Sequence, residues 1–243
     1  MRLVLHGVCG GHQRHRYCAN HSCASIYDEL DPGRTRILID AGSSAIFDDI
    51  IPTTAIDTLL LSHLHKDHRT QLEPLLKRLC KEKPKVALAI YAPESLDGML
   101  KYYIRRGFAI TVSDQPPAQL KGFELKYMIT PHRKKNYAYL FKRGGKELCY
   151  TGDTGYSAEL AAFCAGVDVL VAEATYSEKH SRLARLWGHC TPNDVAELAR
   201  SARPRLLVLT HFLSLPGEEF AAEVAKGYSG QIVVGREGLE LSF

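Results

Sequence analysis

Four side chains that can bind a metal ion lie within a span of six residues. They are His63, His65, Asp67 and His68, and they come directly after a run of three leucines at 59–61. A short apolar run bounded by polar residues is typical of a buried strand, along which side chains alternate in direction. His63 and His65 should therefore point to one side, and Asp67 and His68 should return toward it in the following turn. Because neutral imidazole is the commonest metal ligand, the cluster indicates a metal site in preference to a histidine-rich solvated loop.

Four further polar residues follow the ends of other predicted strands. Asp40 closes an Ile/Leu strand, where a carboxylate must be paired or face a polar site, unless it caps a helix after Gly42. His132 comes after a strand and a proline, and His211 ends an apolar run. Asp153 lies in a Gly-Asp-Thr-Gly loop, where it could also serve as a turn residue. A lone histidine in the position of His132 would more often be structural than functional.

The elements that must position these residues alternate between strand and helix patterns along the chain. Apolar residues at helical spacing predict helices over 69–82, 94–105, 157–164, 192–202 and 217–226. Strands are predicted over 2–6, 24–28, 35–40, 57–62, 87–91, 108–112, 123–130, 137–142, 147–151, 168–173, 205–210 and 231–241. Sheets covered by helices indicate an α/β or α+β fold. Because no linker or low-complexity tract interrupts the pattern, we expect one domain over 1–243.

The composition is that of an ordinary globular protein. The chain has 243 residues, of which 45% are hydrophobic and 24% charged. A domain of this size can bury a large core without disulfides or structural metal ions. The net charge of +4 is too mild to indicate a nucleic-acid-binding protein. No apolar stretch approaches the roughly 20 residues needed to cross a bilayer, and the N-terminus does not fit a signal peptide. We therefore expect a cytoplasmic protein with no membrane partner.

Seven cysteines, an odd number, are scattered along the chain. This usage predicts reduced thiols in a cytosolic setting, Cys18 and Cys23 among them, rather than a disulfide framework. The segment 9–23 also contains enough ligand-type residues for a structural zinc site, namely Cys9, His12, His15, Cys18, His21 and Cys23. Their spacing matches no standard zinc pattern. A loop near the site with incidental Cys and His is the preferred interpretation, and a third metal is the alternative.

The segment 62–68, Ser-His-Leu-His-Lys-Asp-His, resembles the His-x-His-x-Asp-His signature of the metallo-β-lactamase superfamily. The segments around Asp40, His132, Asp153 and His211 are similar to the other motifs of that family and occur in the expected order. The resemblance implies a four-layered αβ/βα sandwich with a metal site at the edge between two sheets. It also implies that Asp40 supports the metal-binding histidines by fixing ring orientation.

Two divalent metal ions, zinc or else manganese, are implied by the same resemblance. The ligands would be His63, His65 and His132 for one ion, Asp67, His68 and His211 for the other, and Asp153 as a bridge. A hydroxide would lie between the ions, and Asp67 would also belong to the catalytic residues. No cysteine stands at a motif position, unlike in the β-lactamases that use one. His65 replaces the glutamate of flavodiiron proteins, which argues against redox iron.

Two later segments are similar to motifs of the branch that contains tRNA 3′-processing endonucleases and related phosphodiesterases. Glu173 lies in a Glu-Ala-Thr segment and His189 in Trp-Gly-His-Cys-Thr. The resemblance implies that His189 protonates the leaving oxygen and that Glu173 orients it, as an alkoxide leaving group requires. The alternative interpretation makes Thr191 the N-cap of a helix with Pro192 at its first position, and both can hold.

These motifs together predict a metal-dependent hydrolase. The most concrete expectation is a dinuclear zinc phosphodiesterase that acts on a small or cyclic phosphodiester through a metal-bridging hydroxide. The basic triplet Arg133, Lys134 and Lys135 favours an anionic substrate if it faces the site. The tRNA-processing enzymes have an additional arm that binds tRNA, and this sequence contains no insertion that could form one. Nucleic acid is therefore the less favoured partner. An endoribonuclease and a thioester or lactone hydrolase are the alternatives, and a homodimer is left open.

Overall fold

The computed structural model describes residues 1–11, 18–47, 56–82 and 87–243. Within these ranges the apolar segments of the sequence form strands that belong to two sheets. The strands are β1 (Arg2–Gly7), β2 (Cys23–Tyr27), β3 (Ile37–Ile39), β4 (Thr58–Leu60), β5 (Leu88–Tyr91), β6 (Ile110–Ser113), β7 (Gln119–Leu120), β8 (Phe123–Thr130), β9 (Asn136–Arg143), β10 (Lys146–Tyr150), β11 (Val169–Glu173), β12 (Leu206–Thr210), β13 (Ile232–Val234) and β14 (Glu240–Ser242).

In the described part of the chain each sheet has seven strands, in the orders β14-β1-β2-β3-β4-β5-β6 and β13-β12-β11-β10-β9-β8-β7. In the first sheet β3, β4, β5 and β6 are parallel, and β1 has the same direction because it is antiparallel to β2, which is antiparallel to β3. In the second sheet β10 to β13 are parallel, and β8 shares their direction through the antiparallel strand β9. The carboxyl ends of β1, β3 and β4, and those of β8, β10, β11 and β12, therefore lie at one edge of their respective sheets.

The longer helices form on segments whose apolar residues recur at helical spacing. In the described residues they are α1 (Pro32–Thr35), α2 (Lys66–Arg69), α3 (Leu72–Glu82), α4 (Asp97–Arg105), α5 (Ala158–Phe163), α6 (Ser181–Trp187), α7 (Pro192–Ala202) and α8 (Gly217–Ala225). The predicted helix 69–82 begins later than expected, because the preceding turn forms the separate helix α2. Periodicity predicted α4, α5, α7 and α8 within a few residues, whereas α1 and α6 were missed. None of the helices in these ranges is long and apolar enough to span a membrane.

The packing follows the alternation of side chains along each strand. In β3, Ile37 and Ile39 face a core cluster shared with the second sheet, while Leu38 faces a second cluster that includes residues of α3 and α4. The first cluster also contains apolar residues of α5, α7 and α8, which cover the other face of the second sheet. The layers are therefore helices, sheet, sheet and helices. This is the predicted αβ/βα sandwich.

The prediction of one strand over 231–241 is wrong, because the chain leaves one sheet and joins the other within this segment. β13 pairs with β12 in the second sheet and β14 pairs with β1 in the first. Between them Gly235 donates a backbone hydrogen bond to Leu209, and Gly238 donates one to Leu5. Gly238 has a φ of 78°, which only glycine adopts without strain. The turn, Gly235-Arg236-Glu237-Gly238, interrupts the apolar pattern, and its two glycines are the signal that the prediction of one strand overlooked.

The free thiol predicted for Cys18 is also wrong, because Cys9 and Cys18 form a disulfide with their Cα atoms 5.7 Å apart. Cys9 follows β1 and forms isolated β-bridges with His21 and Phe212. These backbone contacts hold Cys9 in a position that the Cys18 side chain can reach. Two bonded cysteines cannot act as thiolate ligands, so the alternative of a zinc site over 9–23 loses both. His12 and His15 lie outside the described residues. Cys23 is a buried free thiol, as predicted, and the cytoplasmic location stays a prediction.

Candidate metal centre

The end of β4 and the short helix α2 present the first cluster at the edge of the first sheet. His65 is the N-cap residue of α2, and Asp67 and His68 lie within its single turn. His63 and His68 are fully buried, and Asp67 is nearly so. Nε2 of His63 lies 2.8 Å from Nδ1 of His65, so these two side chains converge as the alternation predicts. The turn after them brings back the other two, also as predicted.

The second sheet adds His132 to this cluster. Its Nε2 lies 3.2 Å from Nδ1 of His65. Asp153, after β10, places Oδ2 3.4 Å from Nε2 of His63 and 4.0 Å from Nε2 of His132. The ligand-type atoms of these four side chains all lie within 4.8 Å of one another. The Nδ1–H of His132 can donate to the carbonyl oxygen of Gly188 at 2.9 Å, which leaves Nε2 free of a proton and directed at the group.

A second group forms where α2 meets the end of β12. Nε2 of His68 lies 3.1 Å from Nε2 of His211, which in turn lies 3.4 Å from Oδ2 of Asp67. Oδ1 of Asp153 is 3.3 Å from the His68 nitrogen and 3.2 Å from the His211 nitrogen. Nδ1 of His211 is 2.8 Å from the Thr175 hydroxyl, so its Nε2 is again the nitrogen that faces the group.

Asp153 lies between the two groups and directs one oxygen to each. The residue is 2% exposed, and in the described parts of the chain its Oδ1 finds no hydrogen-bond donor. Burial raises its pKa, but the nearby imidazoles, His211 foremost, outweigh burial and hold the pKa well below its usual range. A buried carboxylate oxygen that faces imidazole nitrogens is stabilised by a cation shared among them. The donor set therefore fits divalent metal ions.

Burial keeps the imidazoles of the first group in the neutral form that binds metals. It lowers the pKa of His65 to about 4, with help from His132, and lowers that of His63 well below its usual range. His68 differs, because the carboxylates of Asp153 and Asp40 outweigh burial and raise its pKa. Without a metal, a proton on His68 thus compensates for the buried carboxylates, and metal binding has to displace that proton.

Asp40 lies directly behind His68, in the position expected of an orienting carboxylate. Its Oδ2 accepts a hydrogen bond from Nδ1 of His68 at 2.7 Å. Its Oδ1 accepts one from the backbone N–H of Ser62 at 2.8 Å. Asp40 is fully buried and has a φ of 59°, a backbone conformation that is strained for any residue with a Cβ. It caps none of the helices in the described residues, so the alternative interpretation as an N-cap is not supported.

Glu173 and His189 form a hydrogen-bonded pair beside both groups. Oε1 of Glu173, at the end of β11, lies 2.8 Å from Nδ1 of His189. The His189 ring stacks 5.8 Å from that of His211. Burial lowers the pKa of His189, but the Glu173 carboxylate more than offsets it and raises the pKa to about 9. Thr191 also caps α7, accepting a hydrogen bond from the Asp194 N–H, so the structural interpretation of this motif holds as well.

Three hydrogen bonds to candidate ligands were not assigned from the sequence. The Thr175 hydroxyl bonds to His211, and the carbonyl oxygen of Gly188 accepts a hydrogen bond from His132. The N–H of Gly11 donates to Oδ2 of Asp67 at 2.6 Å. Thr175 belongs to the Glu-Ala-Thr segment and could have been found there. The two glycines act through their backbones, for which the sequence contains only the weak signal of glycine itself.

Comparison with known proteins places the chain in a family. A family model described as a beta-lactamase superfamily domain matches residues 35–212. The chain belongs to this superfamily. It is 23% identical to the probable metallo-hydrolase YhfI of Bacillus subtilis over 98% of both chains. It is 22% identical to a ribonuclease Z of Haloarcula marismortui over 76% of this chain and 80% of that one.

Several solved structures share the fold of the chain. YhfI from Bacillus subtilis superposes with a TM-score of 0.83 at 21% identity, covering 99% of each chain. The short form of human tRNase Z gives a TM-score of 0.78 at 20% identity, covering 100% of this chain and 99% of that one. A diphosphatase of the PhnP family gives 0.73 at 18% identity, covering 100% of this chain and 97% of that one. The superfamily and the clustered His and Asp side chains together identify a metal-dependent hydrolase that binds divalent metal.

A cavity of about 410 Å³ opens over the two groups of this beta-lactamase superfamily member. Side chains of both groups form its floor, and His189 forms part of its wall. The lining residues are Gly11, His65, Asp67, Asp153, Thr175, Tyr176, Trp187, His189, His211 and Leu213. A substrate in this cavity would touch the candidate ligands and His189 at once.

Proposed function

We propose that the chain is a phosphodiesterase that binds two divalent ions, zinc or manganese, and hydrolyses a small or cyclic phosphodiester. The observation that carries this proposal is the His189–Glu173 pair, which stands at the wall of the cavity above the ligand groups. An ester whose leaving group is a good anion needs no such pair. A phosphodiester with an alkoxide leaving group needs a proton donor at this position.

We assign the ligands as two sets of three side chains with one shared carboxylate. One set is His63, His65 and His132, the other is Asp67, His68 and His211, and Asp153 is shared. When bound, two such ions supply an activated water nucleophile and positive charge for the phosphoryl oxygens. Asp40 holds His68 in the tautomer that presents Nε2 to the site. Asp67 is itself held by the Gly11 N–H, which fixes the carboxylate over the cavity floor.

His189 would donate the proton to the leaving oxygen. Its Nδ1 is engaged with Glu173, so Nε2 is the nitrogen that can reach a molecule in the cavity. Glu173 is itself fixed by two backbone donors, the N–H groups of Thr154 at 2.6 Å and Cys190 at 3.2 Å. The carboxylate therefore cannot turn away, and it both orients the imidazole and stabilises its protonated form. Glu173 is a positioning residue in this scheme.

RNA 3′-end cleavage is the second candidate, because a ribonuclease Z and the short form of human tRNase Z are among the similar proteins. The two functions share the chemistry and differ in the substrate. A thioester hydrolase would use the same metals but would have no task for His189 and Glu173, because a thiolate departs without a proton, whereas a lactone hydrolase would use the same proton donor. Assaying the metal-loaded protein on bis(p-nitrophenyl) phosphate, a thioester and a precursor tRNA separates the three. RNA cleavage should in addition weaken steeply with salt.

The leaving-group dependence of His189→Ala tests the proposed mechanism. The variant should retain its metal and lose about 10²- to 10⁴-fold in kcat on an alkyl phosphodiester, because proton donation is lost. On a p-nitrophenyl diester, whose leaving group departs without a proton, the loss should be far smaller. Glu173→Gln should show the same pattern in weaker form. His180→Ala is a matched control, since that imidazole contacts Ser177 and lies outside the cavity lining. Equal losses on both substrates would remove His189 from the acid role, and loss of metal would make it a ligand.

A further inference from the structure

A second cavity adjoins the one over the metal centre. It has a volume of about 550 Å³ and is lined by His65, Glu94, Arg133, Lys134 and Trp187. His65 and Trp187 line both cavities, so the two are continuous past these side chains. A substrate that extends beyond the metal centre can therefore reach the second cavity without leaving the protein surface.

Arg133 is held in place by the end of α6. Its backbone N–H donates to the carbonyl oxygen of Trp187 at 3.2 Å, and its guanidinium lies 4.2 Å from the centre of the Trp187 ring. The close approach requires Gly188, where a Cβ would come within 2.6 Å of the His132 backbone. A guanidinium stacked on an aromatic ring loses little further freedom when it binds an anion. Arg133 is thus positioned before any ligand arrives.

The charges of the second cavity are not balanced among its own side chains. Within the described ranges the Arg133 guanidinium has no carboxylate or carbonyl partner, and its contact is the Trp187 ring. Lys134 is 4.0 Å from Glu94, a distance at the limit of an ion pair between partly exposed groups. Lys135 is directed elsewhere, with Nζ 5.3 Å from the centre of the Tyr137 ring. Two cations and one carboxylate thus remain at the cavity, with a guanidinium free to form two parallel hydrogen bonds.

We propose that Arg133 and Lys134 form a subsite for a second phosphate group carried by the substrate. The proposal rests on the proposed function, because it takes the first phosphate to lie at the metal centre. A guanidinium recognises a phosphate with two parallel hydrogen bonds, and a neighbouring ammonium adds charge. Glu94 opposes an anion here and so limits the affinity. The substrate class is therefore a phosphodiester that bears a further phosphate, either a terminal monoester or a neighbouring diester of a strand.

Two nitrophenyl substrates that differ only in the second phosphate test this subsite. They are thymidine 5′-(p-nitrophenyl phosphate) and its 3′-phosphorylated form. In Arg133→Gln, kcat/KM on the 3′-phosphorylated ester should fall about 10- to 100-fold, mainly through KM, while the simple ester changes less than about threefold. Glu94→Gln should lower KM for the 3′-phosphorylated ester. Lys135→Gln, the matched control, removes the same charge one position beyond the subsite and should have no selective effect. Equal effects of Arg133→Gln on both esters would overturn the subsite.

The fluorescence of Trp187, the single tryptophan of the chain, provides a readout that does not depend on catalysis. Adenosine 3′,5′-bisphosphate should change the emission of the metal-loaded protein at a lower concentration than adenosine 5′-monophosphate, and Arg133→Gln should abolish this preference. If neither nitrophenyl ester is hydrolysed but the preference is present, the proposed function fails and the subsite stands. If the preference is the same in wild type and variant, the subsite fails whatever the activity. Replacing the 3′-phosphate by a 3′-methyl phosphate distinguishes a terminal monoester from a strand diester as the group recognised.

Discussion

The substitution Asp40→Asn should remove metal from one of the two proposed sites by changing the tautomer of a single ligand. The backbone N–H of Ser62 donates to Oδ1 of Asp40, so the carbonyl oxygen of an asparagine must occupy that position. Its NH₂ group then takes the place of Oδ2, 2.7 Å from Nδ1 of His68. Two donors cannot face each other, so His68 would accept at Nδ1 and carry its proton on Nε2. That nitrogen is the one directed at His211 and the site.

The magnitude follows from the cost of restoring the metal-binding tautomer. Binding a metal at Nε2 of the variant requires Nδ1–H to face the amide, which leaves a buried donor without an acceptor. Such a loss costs about 1–3 kcal/mol, or about 5- to 150-fold in affinity. Losses of about 10- to 100-fold are typical when groups that orient metal-binding histidines are removed. No ligand of the other proposed site contacts Asp40 directly among the described hydrogen bonds, so His63, His65 and His132 should bind as before.

Metal titration against a competing chelator, combined with elemental analysis, measures this effect. The wild type should hold about two ions at a chelator concentration at which Asp40→Asn holds about one. Tyr150→Phe is the matched control, because it removes a hydroxyl 3.3 Å from the same carboxylate oxygen without changing the contact to His68. That variant should keep both ions. Equal weakening of both sites in Asp40→Asn, or no weakening, would refute the tautomer argument.

Two further outcomes are expected. Because Asp153 directs one oxygen to each ligand group, Asp153→Asn should weaken both ions together, and elemental analysis that finds only one ion lost would show the bridge to be wrongly assigned. Burial, aided by the charge of Arg36, lowers the pKa of His6 to about 4, so neutral His6 stabilises the fold fully above about pH 6.5 and this contribution is lost as the pH falls toward 4. Denaturant unfolding should show that the wild type loses up to about 3 kcal/mol in its free energy of unfolding between about pH 6.5 and 4, and that His6→Gln does not. Identical pH profiles of the two proteins would contradict the assignment.

The clustering of the candidate ligands could be predicted from the sequence because these residues follow strand ends in recognisable motifs. His63, His132, Asp153 and His211 all stand just after apolar strands, and the common direction of those strands brings them to one edge. The disulfide of Cys9 could not be predicted in this way. It depends on where a loop returns in three dimensions, and the composition argues the opposite.

The directions of the side chains in the basic triplet could not be predicted from the sequence either. Arg133, Lys134 and Lys135 are equivalent in the sequence, yet the structure directs the first two into the second cavity and the third toward Tyr137. The distinction arises from α6, a seven-residue helix that was not predicted because its apolar residues remain largely exposed. Short exposed helices lack the buried stripe from which helices are recognised.

The proposed ligands come from both sheets, and this couples metal binding to the packing of the fold. His63, His65, Asp67 and His68 follow the first sheet, whereas His132, Asp153 and His211 follow the second. Ions held between the two sets can bind tightly only when the sheets are packed as they are here, so binding free energy contributes to the stability of that packing. The end of α6 also contacts this site. The carbonyl oxygen of Gly188 accepts a hydrogen bond from His132, and the ring of the preceding residue, Trp187, stacks on the guanidinium of Arg133. A ligand bound at Arg133 would therefore act on the segment that positions His132, and the proposed substrate recognition and metal binding would both depend on one short helix.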